Sequence, residues 1–195
     1  MELTEYIHQS FVDSAQTILE AAEPLAEPIA LAAEHMVQSL LNDGKILACG
    51  NGGSAADAHL FASTMINRFE RERPGLAAIS LTSATATLTS IANDYDYGLV
   101  FARQVAALGG PGDVLLAIST SGSSRNVLEA VRIAHEKEIS VVALTGRDGG
   151  DLAEMLNEED VLICVPAETT ARIRETHLLA IHCLCDSIDN LLLGT

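Results

Sequence analysis

Tryptophan is absent from this chain, and all aromatic residues together make up only 4%. That scarcity argues against a base-stacking platform or an aromatic sugar groove. Basic residues are also few, 11 Lys and Arg against 27 Asp and Glu, for a formal net charge of −16. A surface of that sign repels phosphate backbones and anionic lipid heads, so neither direct nucleic-acid binding nor membrane binding is expected. An anionic guest would need a local reversal of the field. No apolar run is long enough to span a bilayer, and Met1-Glu2-Leu3-Thr4-Glu5 has no basic region or apolar run of signal type. Cys49, Cys164, Cys183 and Cys185 show no CxxC spacing and lie in apolar surroundings. They are expected as buried, reduced thiols of a cytoplasmic protein rather than as disulfides or metal ligands.

What is present is a globular composition: 195 residues, 48% apolar and 19% charged. This fits one domain over residues 1–195, with N-terminal helices in 1–43 and an α/β core with a C-terminal helix in 44–195. Two helices are expected first. One covers Glu5–Ala22; the second starts at Pro28, carries Ile29, Ala32, Ala33, Met36, Val37 and Leu40 at helical spacing, and stops at Asn42-Asp43-Gly44. The pattern then alternates. Strands are predicted at Lys45–Cys49, Leu76–Leu81, Val114–Ile118, Ser140–Leu144 and Val161–Val165. Helices are predicted at Ser54–Phe69, Ala84–Ile91, Gly98–Leu108, Ser124–Lys137, Asp151–Leu156 and Thr170–Leu192. Short apolar strands alternating with helices imply a five-stranded parallel sheet between helical layers, a three-layer αβα sandwich.

Two loops follow strands and open helices: Gly50-Asn51-Gly52-Gly53-Ser54, and Ser119-Thr120-Ser121-Gly122-Ser123-Ser124. Small residues there leave backbone N–H groups free, and the helix N-terminus adds partial positive charge, so a phosphate can be held without a lysine. Ser54 can cap its helix, with Asp57 three residues on as in a capping box, or bond a phosphate oxygen. The second loop has five hydroxyls in six residues, more than capping uses, which points to an oxyanion ligand. Asn93-Asp94 reads as a polar turn that could hold sugar hydroxyls or serve as an ordinary Asx turn. On the last helix Arg174 and His182, eight residues apart, share a face; Arg174 is the candidate cation for an anionic guest. His59 has Ser63 at i+4, so its helix carries no metal-binding pair. The run Arg68–Arg73 reads as a solvated helix end. Leu191-Leu192-Leu193 reads as a frayed end or a contact site.

The loops in this order resemble the sugar isomerase (SIS) domain family. More narrowly, the chain is similar to the phosphoheptose isomerases and to relatives of the DnaA initiator-associating (DiaA) type. The likeness rests on GNGGSAADA (Gly50–Ala58), MINRFERERP (Met65–Pro74), SIAND (Ser90–Asp94), GDVLLAISTSG (Gly112–Gly122), ALTGRDGG (Ala143–Gly150) and HCLCDSIDN (His182–Asn190). It implies a homotetramer with sites at subunit interfaces. It also implies sugar-phosphate contacts at Asn51, Gly52, Gly53, Asn93, Asp94, Ser119, Thr120, Ser121 and Ser124. The isomerases add four groups that bind zinc and move protons: a His and a Glu on the helix after the first loop, and a Gln and a His on the last helix. The matching positions here are Leu60, Thr64, Arg174 and His182. DiaA-type relatives also lack the carboxylate and keep RFE-x-ERP and CLCD-x-IDN. With acid–base groups missing, the expectation is a non-catalytic, sugar-phosphate-binding protein that associates with DnaA and regulates initiation of DNA replication, without a metal. The alternative is an isomerase converting sedoheptulose 7-phosphate to D-glycero-D-manno-heptose 7-phosphate for lipopolysaccharide. In that case His182 would be catalytic, and zinc could enter only through an incomplete ligand set.

Overall fold

A computed structural model describes residues 2–194. The chain opens with α1 (Leu3–Leu41), then β1 (Ile46–Gly50), α2 (Gly53–Ile66), β2 (Ala78–Ser80) and α3 (Thr85–Asp94). A 3-10 turn at Tyr97–Leu99 precedes α4 (Ala102–Leu108), β3 (Val114–Ile118), α5 (Arg125–Glu136) and β4 (Ser140–Gly146). The chain ends with α6 (Gly150–Met155), β5 (Val161–Val165) and α7 (Thr170–Leu193). The strands form one sheet in the order β2-β1-β3-β4-β5, and every pair is parallel. This is the expected architecture.

Alternate side chains of the strands feed two separate cores. Ile46, Ala48, Leu116, Ile118, Val142 and Leu144 face α1, α2 and α7. Leu47, Cys49, Leu115, Ala117, Val141 and Ala143 face α4, α5 and α6. With both faces covered, β1 and β3 are buried at every residue, which explains their unbroken apolar runs.

The N-terminus departs from expectation. The two predicted helices are one, 39 residues long, with Pro24 and Pro28 inside it. Each proline lacks an N–H, so the carbonyls of Glu20 and Pro24 lose their helical donors. Both residues are exposed, and water can satisfy those carbonyls. Ala21, Leu25, Ala32, Ala33 and Met36 meanwhile stay buried, and α1 packs along α7. Tertiary packing outweighs the local break.

Other differences are smaller. The predicted Gly98–Leu108 helix divides because Asp96 accepts a hydrogen bond from Gly98 N and caps a tight turn first. The Arg68–Arg73 run is not simply a solvated end. Arg73 Nε donates to Asp189 Oδ1 at 2.5 Å, both side chains are about 1% exposed, and Arg73 also reaches the carbonyls of Met65 and Thr64. A guanidinium whose three nitrogens each donate to a carboxylate or a backbone oxygen can be buried. The C-terminal leucines continue α7 rather than fray, with Leu191 and Leu193 half exposed and Leu192 against the core.

Candidate functional site

In the sheet, β1 lies beside β3, with β2 on one side and β4 on the other. The chain therefore leaves β1 in one direction and β3 in the other, and the crevice between their carboxyl ends is the switch point where open parallel sheets bind ligands. The register pairs Cys49 with Ala117 and Gly50 with Ile118, so the two strands end level. The loops 50–54 and 119–124 consequently stand side by side.

Asn51 ties the two loops together. Its Nδ2 donates to Asn126 Oδ1 (2.7 Å), and Asn126 Nδ2 donates back to Asn51 Oδ1 (2.8 Å). Tyr97 Oη donates to the same Asn51 oxygen at 3.2 Å. Asn51 is thus largely occupied by the protein itself, while Gly52 and Gly53 present backbone. The N-cap of α2 is Gly52, at φ +54, and no side chain caps that helix. The anticipated Ser54–Asp57 capping box is not formed, because Asp57 turns to α7. Arg174 Nη2 donates to Asp57 Oδ1 at 3.2 Å and to Oδ2 at 3.3 Å. The Arg174 guanidinium lies so close over Gly53 that a Cβ there would come within 1.8 Å of Nη1. At Gly53 the glycine leaves room for the guanidinium rather than serving a turn.

In the second loop Ser119 is buried, and its Oγ donates to Ser124 Oγ at 3.2 Å. Thr120, Ser121 and Ser124 are half-buried, and Ser123 is exposed. Gly122 has φ +67, and a Cβ on it would strike the Gly149 carbonyl at 1.8 Å. Leu152 N donates to Gly122 O, so the turn between β4 and α6 supports this loop from behind.

Asn93 and Asp94 are not in a free turn. They form the last residues of α3, both exposed, and Asn93 Nδ2 donates to Asp94 Oδ1. His182 is half-buried on α7, its ring tilted against Phe69 with 5.6 Å between centroids. Two helical turns, about 12 Å, separate it from Arg174 within one chain. His59 is exposed on α2. His177 is fully buried, and its Nε2 lies 2.9 Å from the Thr145 carbonyl. Burial is the main cause that holds its pKa below the ordinary imidazole range.

A zinc ion does not fit the four positions where the resembled isomerases keep it. Leu60 offers no donor, Thr64 only a neutral hydroxyl, and Arg174 a cation that repels metals; His182 alone is a ligand type. Among the described residues no group of three or more His, Cys, Asp or Glu is placed to hold a metal.

The SIS domain family matches residues 10–146. This chain belongs to that family. Phosphoheptose isomerases of Thiobacillus denitrificans and Azoarcus sp. are 66% and 64% identical to it over 194 residues, covering all of this chain and 98% of each relative. Two solved phosphoheptose isomerases superpose closely. That of Neisseria gonorrhoeae has a TM-score of 0.92 at 54% identity, and that of Francisella tularensis 0.95 at 48%; each covers 97% of this chain and 100% of its own. The chain is a SIS domain protein of the phosphoheptose isomerase group. Likeness of this depth along the whole length overturns the expectation of a non-catalytic, DnaA-binding protein drawn from Leu60 and Thr64. Three altered side chains, Leu60 and Thr64 on α2 and Arg174 on α7, are local, whereas the identity is global.

Residues that shape the site but escape a linear reading are Asp57, Asn126, Tyr97 and His177. Asp57 was legible as a carboxylate near the loop, but its partner lies 117 positions away. Asn126 had no signal beyond its place at a helix start.

Proposed function

We propose that this protein is a cytoplasmic aldose–ketose isomerase interconverting sedoheptulose 7-phosphate and D-glycero-D-manno-heptose 7-phosphate. The observation that carries the reading is the full-length identity of 64–66% to proteins named phosphoheptose isomerase. The phosphate is assigned to Ser119, Thr120, Ser121 and Ser124, where hydroxyls and N–H groups at the start of α5 suit a dianion. The sugar is assigned to the neighbouring groups Asn51, Gly52, Gly53, Ser54, Asn93, Asp94 and Arg174.

The reaction is redox-neutral. A base takes the proton from C1 of the ketose, the C1–H electron pair becomes the C1=C2 bond, and the carbonyl π pair moves to the C2 oxygen. Returning a proton to C2, with the O1 proton transferred to O2, gives the aldose. His182 is the candidate proton carrier. Arg174 and His182 stand about 12 Å apart along one helix, and a site between subunits would bring them to one sugar as residues of two copies. A homotetramer with sites between subunits supplies that arrangement. Exposed Leu3, Tyr6, Ile7, Phe11 and Leu19 on α1 give such an assembly an apolar surface to cover.

A coupled assay with sedoheptulose 7-phosphate tests the reading. Product formation that disappears in His182→Ala supports it, and absence of product with and without added zinc overturns it.

A further inference from the structure

Arg174 carries three features that a bystander on a helix face would not. Its guanidinium is packed over the Cα of Gly53, in space that a Cβ would claim. It is held by both oxygens of Asp57, whose side chain is only 7% exposed. Its Nε is buried without any hydrogen-bond partner. A cation pinned by a buried carboxylate, its side chain still 39% exposed beside the first loop, keeps guanidinium N–H groups available to a guest. Asp57 and Arg174 also line an open hollow of about 520 Å³ with Thr170, Ala171, Glu175 and Leu178. This is room for a sugar end rather than a single ion.

Charge decides what that guest offers. With the phosphate on the hydroxyl-rich loop, the first loop faces the other end of the sugar, where the carbonyl lies. Isomerisation places negative charge on that oxygen between ketose and aldose, and a fixed cation in a partly desolvated site lowers the barrier most when it faces where charge develops. A divalent metal does this in many sites, yet Leu60, Thr64 and Arg174 provide no cage for one.

We infer that the Asp57–Arg174 pair takes the place of a metal ion: Arg174 holds the carbonyl end of the sugar phosphate, Asp57 positions it, and the site works without a divalent cation. This rests on the isomerase reading above and deepens it.

The test uses the full-length protein after dialysis against a chelator, with metal content measured. Calorimetry with sedoheptulose 7-phosphate is run alongside turnover. Binding and turnover are expected to stay within about twofold after chelation and after zinc addition. Arg174→Ala should weaken binding by about tenfold to a hundredfold, as expected for lost charge-assisted hydrogen bonds, and millimolar guanidinium should restore part of it. Arg174→Lys keeps a charge beside Asp57, guarding against misfolding; it should melt near the wild type yet bind more weakly, since a lysine cannot reproduce the planar fork. Asp57→Asn should lower kcat more than it raises KM, with Asp57→Glu recovering part of the loss. Stoichiometric zinc with turnover lost on chelation overturns the inference, as does wild-type affinity in both Arg174 variants. If the wild type binds the sugar phosphate but does not turn it over, the isomerase reading falls, and the calorimetric arms still decide the role of Arg174.

Discussion

Asn51 and Asn126, 75 residues apart, exchange two amide hydrogen bonds and so fix the glycine-rich loop 50–54 to the start of α5. Each amide is both donor and acceptor to the other, which sets the flip of both side chains. Asn126→Ala removes this tie and leaves Asn51 with Tyr97 alone. The expected result is a KM for the sugar phosphate raised about tenfold, the weight of one or two hydrogen bonds, with a much smaller change in melting temperature. Steady-state kinetics and a thermal melt on the same preparation check it.

The buried Arg73–Asp189 pair predicts an asymmetry. Arg73→Ala strands Asp189, whose Oδ2 already lacks a partner, and should destabilise by about 3–5 kcal/mol. Asp189→Asn should cost less, because Arg73 keeps the carbonyls of Met65 and Thr64. Urea midpoints of the two variants decide. Equal losses would contradict the account.

His177 predicts a pH dependence. Burial keeps the folded imidazole neutral below its ordinary range, while the unfolded chain takes up a proton near pH 6.5. The unfolded state therefore binds more protons in acid, and the stability His177 contributes is whole above about pH 6.5 and lost as pH falls below it. Asp57 and Arg174 act on the ring in opposite senses, the first raising and the second lowering its pKa. Denaturant midpoints from pH 8 to pH 5 should fall less steeply in His177→Gln than in the wild type.

The thiols should fall into two classes. Burial pushes Cys49 and Cys185 up to about 12, so neither forms thiolate near neutral pH. Cys164 and Cys183 are only half-buried, and Cys183 is raised by burial and then by Asp186. Native labelling with a disulfide reagent at pH 8 should modify Cys164 first and Cys183 slowly, with the remaining two appearing only in denaturant.

The parallel sheet and its helical layers were legible because the strands are short apolar runs alternating with helices, whereas the order β2-β1-β3-β4-β5 emerges only from the fold. Val114–Ile118 and Val161–Val165 sit where the alternation placed them. The break expected between Ala22 and Pro28 was not real, because proline chemistry is local whereas the α1–α7 contact spans the chain. The loop 119–124 stood out in the sequence by its hydroxyl surplus. The pairing of Asp57 with Arg174 was not, since a capping box and an ion pair look alike until α7 is folded onto α2. The reading failed most where three missing ligands, at Leu60, Thr64 and Arg174, were weighed above likeness along the whole chain.

Gly53, Asp57 and Arg174 constrain one another's inheritance. A side chain at position 53 must displace the guanidinium, and a neutral residue at 174 leaves the Asp57 carboxylate without its partner. A change at any one of the three is therefore felt by the others: the arginine needs the space that glycine leaves, and the carboxylate needs the arginine.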